Sequence, residues 1–142
     1  MDDFGVMASL RPEAPIVLGR LHRAGIRTCV VSDCPPELAE LWPTLPVSAL
    51  VDDVVLSAVE GIKKPSPGMF LAAARRLGVA PEACLYVGDG GSDELRGARS
   101  VGMTVVAIAE VHAQGALYVH DPAIPADVQA ITTTDYPLPA PR

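Results

Sequence analysis

Three acids crowd one short turn in the stretch LYVGDGGSDELRGARSVGM, residues 85–103. An apolar run ends at Gly88-Asp89, two more glycines follow, and Asp93-Glu94 open a helix. Hard carboxylate oxygens at a strand end, with room for water and phosphate, suit Mg²⁺. Gly90 and Gly91 allow turn geometry that other residues resist. Helix capping is the competing reading: Ser92 or Asp93 would be the cap, and the helix dipole would favour the acids. Capping does not account for Asp89, which precedes the helix. An acid closing a buried strand is costly without a partner.

Two further polar signals fall at strand or helix ends. Lys64, in GIKKPSPGMF (61–70), precedes a proline and is thereby biased to extended backbone. It stands just before a helix start, where free amides and the dipole also favour anions. A positive charge there can neutralise a phosphate or a carboxylate; the alternative is a solvated lysine. Lys63 is the weaker candidate, because only Lys64 is fixed by the Lys-Pro junction. Ser32-Asp33 closes TCVVSD (28–33), and a hydroxyl at a strand end can donate to a phosphoryl oxygen. The alternative there is a turn or cap residue.

The elements that must position these residues alternate between helix and strand. Residues 11–26 place Val17, Leu18, Leu21 and Ala24 on one helical face, with Gly25 as the stop. Residues 26–33 read as a β-branched strand ending in polar residues, 35–42 as a short helix with proline at its start, and 51–57 as a strand. Residues 66–78 give the clearest helix: Ser66 as cap, Pro67 in the first turn, a stripe of Phe70, Ala73, Ala74 and Leu77, and Gly78 as the end. A strand at 84–88, a helix at 92–102, a strand at 104–108 and a last strand at 128–131 follow. The strands are apolar throughout rather than alternating, which predicts cover on both faces. Strand–helix alternation of that kind predicts an α/β fold with a doubly wound parallel sheet. Ligands of such sheets bind beyond the carboxyl ends of the strands, where all three polar signals lie.

The 142 residues suit a single domain, with residues 1–10 as a lead-in and 132–142 as an extended, proline-rich tail. With 49% hydrophobic and only 4% aromatic residues, the core must be built from Ala, Val, Leu and Ile. Eleven basic against 17 acidic residues leave a net charge of −6, which argues against broad nucleic-acid binding. Small phosphorylated substrates remain open, because local charges handle them. Cys29, Cys34 and Cys84 form an odd count without a CxxC, which points to buried thiols in a reducing compartment. No run approaches the ~18 apolar residues of a membrane span. The acidic start does not read as a signal peptide. The expectation is a soluble cytoplasmic protein without a membrane partner. His22, His112 and His120 lack metal-ligand spacing and read as surface residues, and Trp42 as packing for the small helix.

Taken in order, VVSD (30–33), KKPSPGMF (63–70) and LYVGDGGSDELRGARSVGM resemble the haloacid dehalogenase (HAD) superfamily of phosphohydrolases over about residues 11–131. The resemblance implies a Rossmann-like core, Mg²⁺ as cofactor and a phosphate monoester as substrate. Ser32 matches the family's second motif, whose hydroxyl binds the transferring phosphoryl group. Lys64 matches the third-motif lysine, which offsets charge on nucleophile and phosphoryl. Asp89 matches the first acid of the fourth motif, a metal ligand. For the second acid, Asp93 fits a GDxxxD form, while Glu94 aligns better with the downstream Gly-Ala. The implied set is therefore Ser32, Lys64 and Asp89 for catalysis, Ser32, Asp33 and Lys64 for phosphate, and Asp89, Asp93 and Glu94 for metal.

The family's first motif is not found. Its reaction starts on an aspartate of an Asp-x-Asp run, which attacks phosphorus, and the second aspartate serves as acid and base. The 142 residues contain no Asp-x-Asp. Only Asp3, in MDDFGVM, faintly resembles it, with Gly5 where the second acid would stand. In the family that strand lies centrally, between the strands ending here at Ser32 and Asp89. Its absence, with that of the cap, predicts unpaired sheet edges, an incomplete or impaired enzyme, and a homodimer formed by edge pairing. Two rivals stand beside this reading. One is a non-catalytic phosphate- and metal-binding or regulatory protein of the same fold. The other is a receiver-like domain, which needs an acidic pair after a first strand that MDDFG lacks.

Overall fold

The computed structural model describes residues 14–107, together with the backbone of Ala109–Glu110 and Leu117–Tyr118. Helix α1 (Ala14–Arg23) buries none of its residues fully: Val17, Leu18 and Leu21 of the expected apolar face are half-buried, and Ala24 beyond its end is exposed, as is His22. It stops before Gly25, whose φ of +75° suits a residue without a side chain. Strand β1 (Cys29–Ser32) pairs in parallel with β2 (Asp53–Leu56), Ser32 opposite Leu56. Between them lie α2 (Pro36–Leu41), which begins at a proline, and two 3-10 turns, Trp42–Thr44 and Pro46–Ala49. After β2 come the single turn α3 (Ser57–Glu60) and the long helix α4 (Pro67–Leu77).

The second half repeats the plan. Strand β3 (Leu85–Gly88) runs parallel to β4 (Thr104–Ala107), with α5 (Glu94–Ser100) as the crossover. Two-residue strands β5 (Ala109–Glu110) and β6 (Leu117–Tyr118) form a small antiparallel pair. The architecture is α/β: parallel strand pairs joined by helical crossovers. Helix α4 ties the halves together, packing on β1, β2 and α5, while α5 packs on β3 and β4. The core is accordingly centred on α4, where Met69 and Phe70 are fully enclosed and Ala72, Ala73 and Ala74 nearly so. Against them lie Val55, Leu95, Ala98, Met103 and Val105.

Several expectations change. Ser66 occupies the cap position of α4, but its side chain makes no capping hydrogen bond. The stripe of α4 is wider than the sequence spacing suggested, taking in Met69 and Ala72 as well as Phe70, Ala73 and Ala74. The uniformly apolar strands do not all have two covered faces: Leu85 and Val87 are 58% and 48% exposed. Among the described residues, β1 and β3 each have one hydrogen-bonded neighbour, so the sheet is present as separate parallel pairs. The lead-in at 1–10 with Asp3, the histidines His112 and His120, the strand at 128–131 and the tail at 132–142 lie outside the described residues. No helix among the described residues is long and apolar enough to cross a membrane.

Candidate phosphate and metal site

Ser32 is the last residue of β1, and Asp33 opens the loop beyond it. Ser32 Oγ lies 3.4 Å from the Asp33 carbonyl, a long contact that the hydroxyl gives up at little cost to a better acceptor. The Asp33 carboxylate reaches across to the turn before α4, where its Oδ1 accepts the Lys64 backbone N–H at 2.9 Å. That bond fixes the Lys64 backbone to the β1 loop; the Lys64–Pro65 peptide bond is cis. Lys63, one residue earlier, is exposed.

Lys64 then points along the strand ends. Its Nζ donates to Glu94 Oε2 at 2.7 Å, with both side chains largely enclosed, 13% and 5% exposed. Glu94 is the buried charged residue of the described core. A buried carboxylate needs donors, and this one has three. Lys64 Nζ and the Tyr86 hydroxyl both donate to Oε2 at 2.7 Å, and the Gly90 N–H donates to Oε1 at 3.1 Å. Gly88 makes this approach feasible, since a Cβ there would overlap Glu94 Oε1. The phenol of Tyr86 is pushed well above its ordinary range. Burial is the largest cause, followed by its hydrogen bond to Glu94 and the charges of Glu94, Asp33 and Asp89.

Asp89 follows the end of β3 and is exposed. It is not the buried strand-end acid that the sequence suggested. Its Oδ1 accepts the Gly91 N–H at 2.8 Å, which shapes the turn. Gly90 turns with φ of +92°, and Ser92 and Asp93 follow at φ of 56° and 53°. Two successive non-glycine residues in the left-handed region store strain of about 1–3 kcal/mol each, a feature that gathers at ligand-binding turns. Asp93 precedes α5 without a side-chain capping bond, so capping does not explain it. Its carboxylate faces solvent, 3.6 Å from Arg96 Nε.

The structure thus joins Ser32, Asp33, Lys64 and Glu94 into one chain of contacts across the carboxyl ends of β1 and β3. Asp89 and Asp93 lie on the adjoining turn. Among the described residues no group of three or more His, Cys, Asp or Glu is arranged to hold a metal ion. The sequence reading missed Tyr86, the one aromatic residue of an otherwise aliphatic strand. It also missed that Glu94 is consumed by Lys64, a pairing that no spacing rule reveals across 30 positions.

Comparison with known proteins shows the family. Residues 2–102 match the haloacid dehalogenase-like hydrolase family. A glyceraldehyde 3-phosphate phosphatase of Methanopyrus kandleri is 50% identical over 56 residues, 39% of this chain and 24% of that protein. A phosphoglycolate phosphatase of Salmonella paratyphi A is 35% identical over 100 residues, 67% of this chain and 40% of that protein. The crystal structure of a HAD phosphatase from Thermococcus onnurineus superposes with a TM-score of 0.65 at 30% identity, covering 75% of this chain and 50% of that one. The chain therefore spans at most about half the length of these relatives. Strand-end serine, lysine and acids, parallel α/β core and family match converge: the chain belongs to the haloacid dehalogenase-like hydrolases.

Proposed function

We propose that this chain carries the phosphate- and metal-binding half of a Mg²⁺-dependent phosphomonoesterase site acting on small phosphorylated metabolites. The observation that supports it most directly is the bridge from Asp33 through Lys64 to Glu94. It holds the Lys64 ammonium against the Glu94 carboxylate, which the Gly90 N–H ties to the turn that follows Asp89. In this reading Ser32 donates its hydroxyl to a phosphoryl oxygen, and Lys64 supplies the positive charge beside it. Asp33 acts by fixing the lysine backbone. The matched relatives are named for small phosphate monoesters, glyceraldehyde 3-phosphate and phosphoglycolate, which supports that substrate class.

The acids present fit Mg²⁺ of a particular kind. Mg²⁺ takes one or two carboxylates and keeps water and phosphate as its other ligands. Asp89 is exposed on a turn made by glycines, and Asp93 lies on the same turn. Glu94 is spent on Lys64, Tyr86 and Gly90, so Asp93 is the better second acid. When bound, the ion offsets the negative charge of a phosphate beside Asp89.

An aspartate nucleophile of Asp-x-Asp type is absent from these 142 residues. The chain by itself therefore binds phosphate but turns over an ester poorly, because the covalent route lacks its first group. The test is phosphate release from an aryl phosphate, with and without Mg²⁺, alongside melting temperatures and an Asp89→Asn control. The expected result is a Mg²⁺-dependent rise in melting temperature that Asp89→Asn abolishes, with little turnover. Rapid Mg²⁺-dependent turnover would refute the missing nucleophile. No response to Mg²⁺ or phosphate would refute the site.

A further inference from the structure

We propose that Tyr86 is a positioning residue for Lys64, acting through Glu94 to aim the ammonium group at a bound phosphate; this rests on the phosphate-site reading above. Tyr86 and Lys64 donate to the same carboxylate oxygen, Glu94 Oε2, each at 2.7 Å. The phenol occupies part of that oxygen's acceptor capacity and offsets part of its charge. Gly90 holds the other oxygen. The carboxylate is then fixed at both ends, and the ammonium, with three donors to place, is anchored by one of them.

Core packing fixes the phenol in turn. The Tyr86 ring meets Phe70 edge-on, centroids 5.1 Å apart at 80°, and Phe70 is fully enclosed by the core. The bare Cα of Gly88 leaves the space that the carboxylate occupies. A phenylalanine at position 86 would make the same ring contact. The hydroxyl is therefore what the site requires, beyond what packing requires.

The test is calorimetric titration of the full chain with inorganic phosphate in the presence of Mg²⁺. Wild type should bind and Lys64→Met should not. Tyr86→Phe, which keeps the ring, should bind about three- to ten-fold more weakly, less than the roughly ten- to hundred-fold worth of a hydrogen bond to a charged group because the phenol acts on phosphate only through Glu94. In a Glu94→Gln background the same substitution should change nothing further, since the link through which Tyr86 acts is already cut. Unchanged affinity in Tyr86→Phe, or an equal loss in both backgrounds, would overturn the inference while leaving the phosphate site standing. Affinity insensitive to Glu94→Gln alone would overturn it equally. If wild type binds phosphate no better than Lys64→Met, the functional reading falls, and the inference with it.

Discussion

Two acids of this chain meet burial in opposite ways. Glu94 is 4% exposed and is met by a lysine, a phenol and a backbone amide. Cys29, in β1, has no such company. Its thiol is pushed from the ordinary 9.0 up to about 11, first by burial and then by the negative charge of Asp53, against a smaller opposing effect of Arg76. The folded state therefore holds the Cys29 proton more tightly than the unfolded chain does. The stabilisation this represents is fully present below about pH 9 and is lost as pH rises through about 11. Because the thiolate is the reacting form, alkylation of Cys29 should be slow at pH 8 and keep climbing towards pH 11. Asp53→Asn should shift that profile to lower pH. Peptide-resolved mass spectrometry of timed alkylation reads both effects, and a rate that levels off near pH 9 would contradict them.

At the scale of elements, the sequence was most legible where periodicity was strongest. The 66–78 stretch gives α4 almost residue for residue, because an apolar stripe bounded by proline and glycine leaves few alternatives. Ser32 and Asp89 were legible because each follows an apolar run, and Lys64 because a proline and a helix start follow it. The pairing of Lys64 with Glu94 was not, because it depends on how α5 lies against the turn before α4. Gly97 governs that distance. A Cβ at Gly97 would come 2.6 Å from Phe70 Cε2 and 2.7 Å from the Pro65 carbonyl oxygen. Its buried neighbour on the helix, Ala98, is equally small. Gly97→Ala gains about 1 kcal/mol of helix propensity but forces about 1–3 kcal/mol of overpacking against backbone and an enclosed ring. The expected result is a lower urea midpoint and a weaker hold on phosphate, as α5 shifts Glu94 away from Lys64. A midpoint equal to or above wild type would show that α5 can move without cost.

At the scale of the whole molecule, two parallel pairs depend on one helix. The pair β1–β2 and the pair β3–β4 are not hydrogen-bonded to each other among the described residues, and α4 with α5 packs beneath both. The exposed Leu85 and Val87 show that β3 buries side chains on its inner face only, where Tyr86 meets Phe70. This arrangement makes α4 the cooperative link. Trp42, the single tryptophan, lies in the 3-10 turn after α2, on the β1–β2 side. Its fluorescence reports that half, while far-UV circular dichroism reports all elements together. If α4 couples the halves, the two probes should give coincident urea transitions in the wild type. Phe70→Ala removes the ring that touches Tyr86 from the first turn of α4, and large-to-small changes of this kind cost about 3–5 kcal/mol. It should lower both transitions by the same amount, although Trp42 lies in the other half. A Trp42 transition that stays in place while the dichroism transition falls would mean that the β1–β2 half unfolds on its own. The site would then be assembled from two independently stable pieces rather than held in one fold.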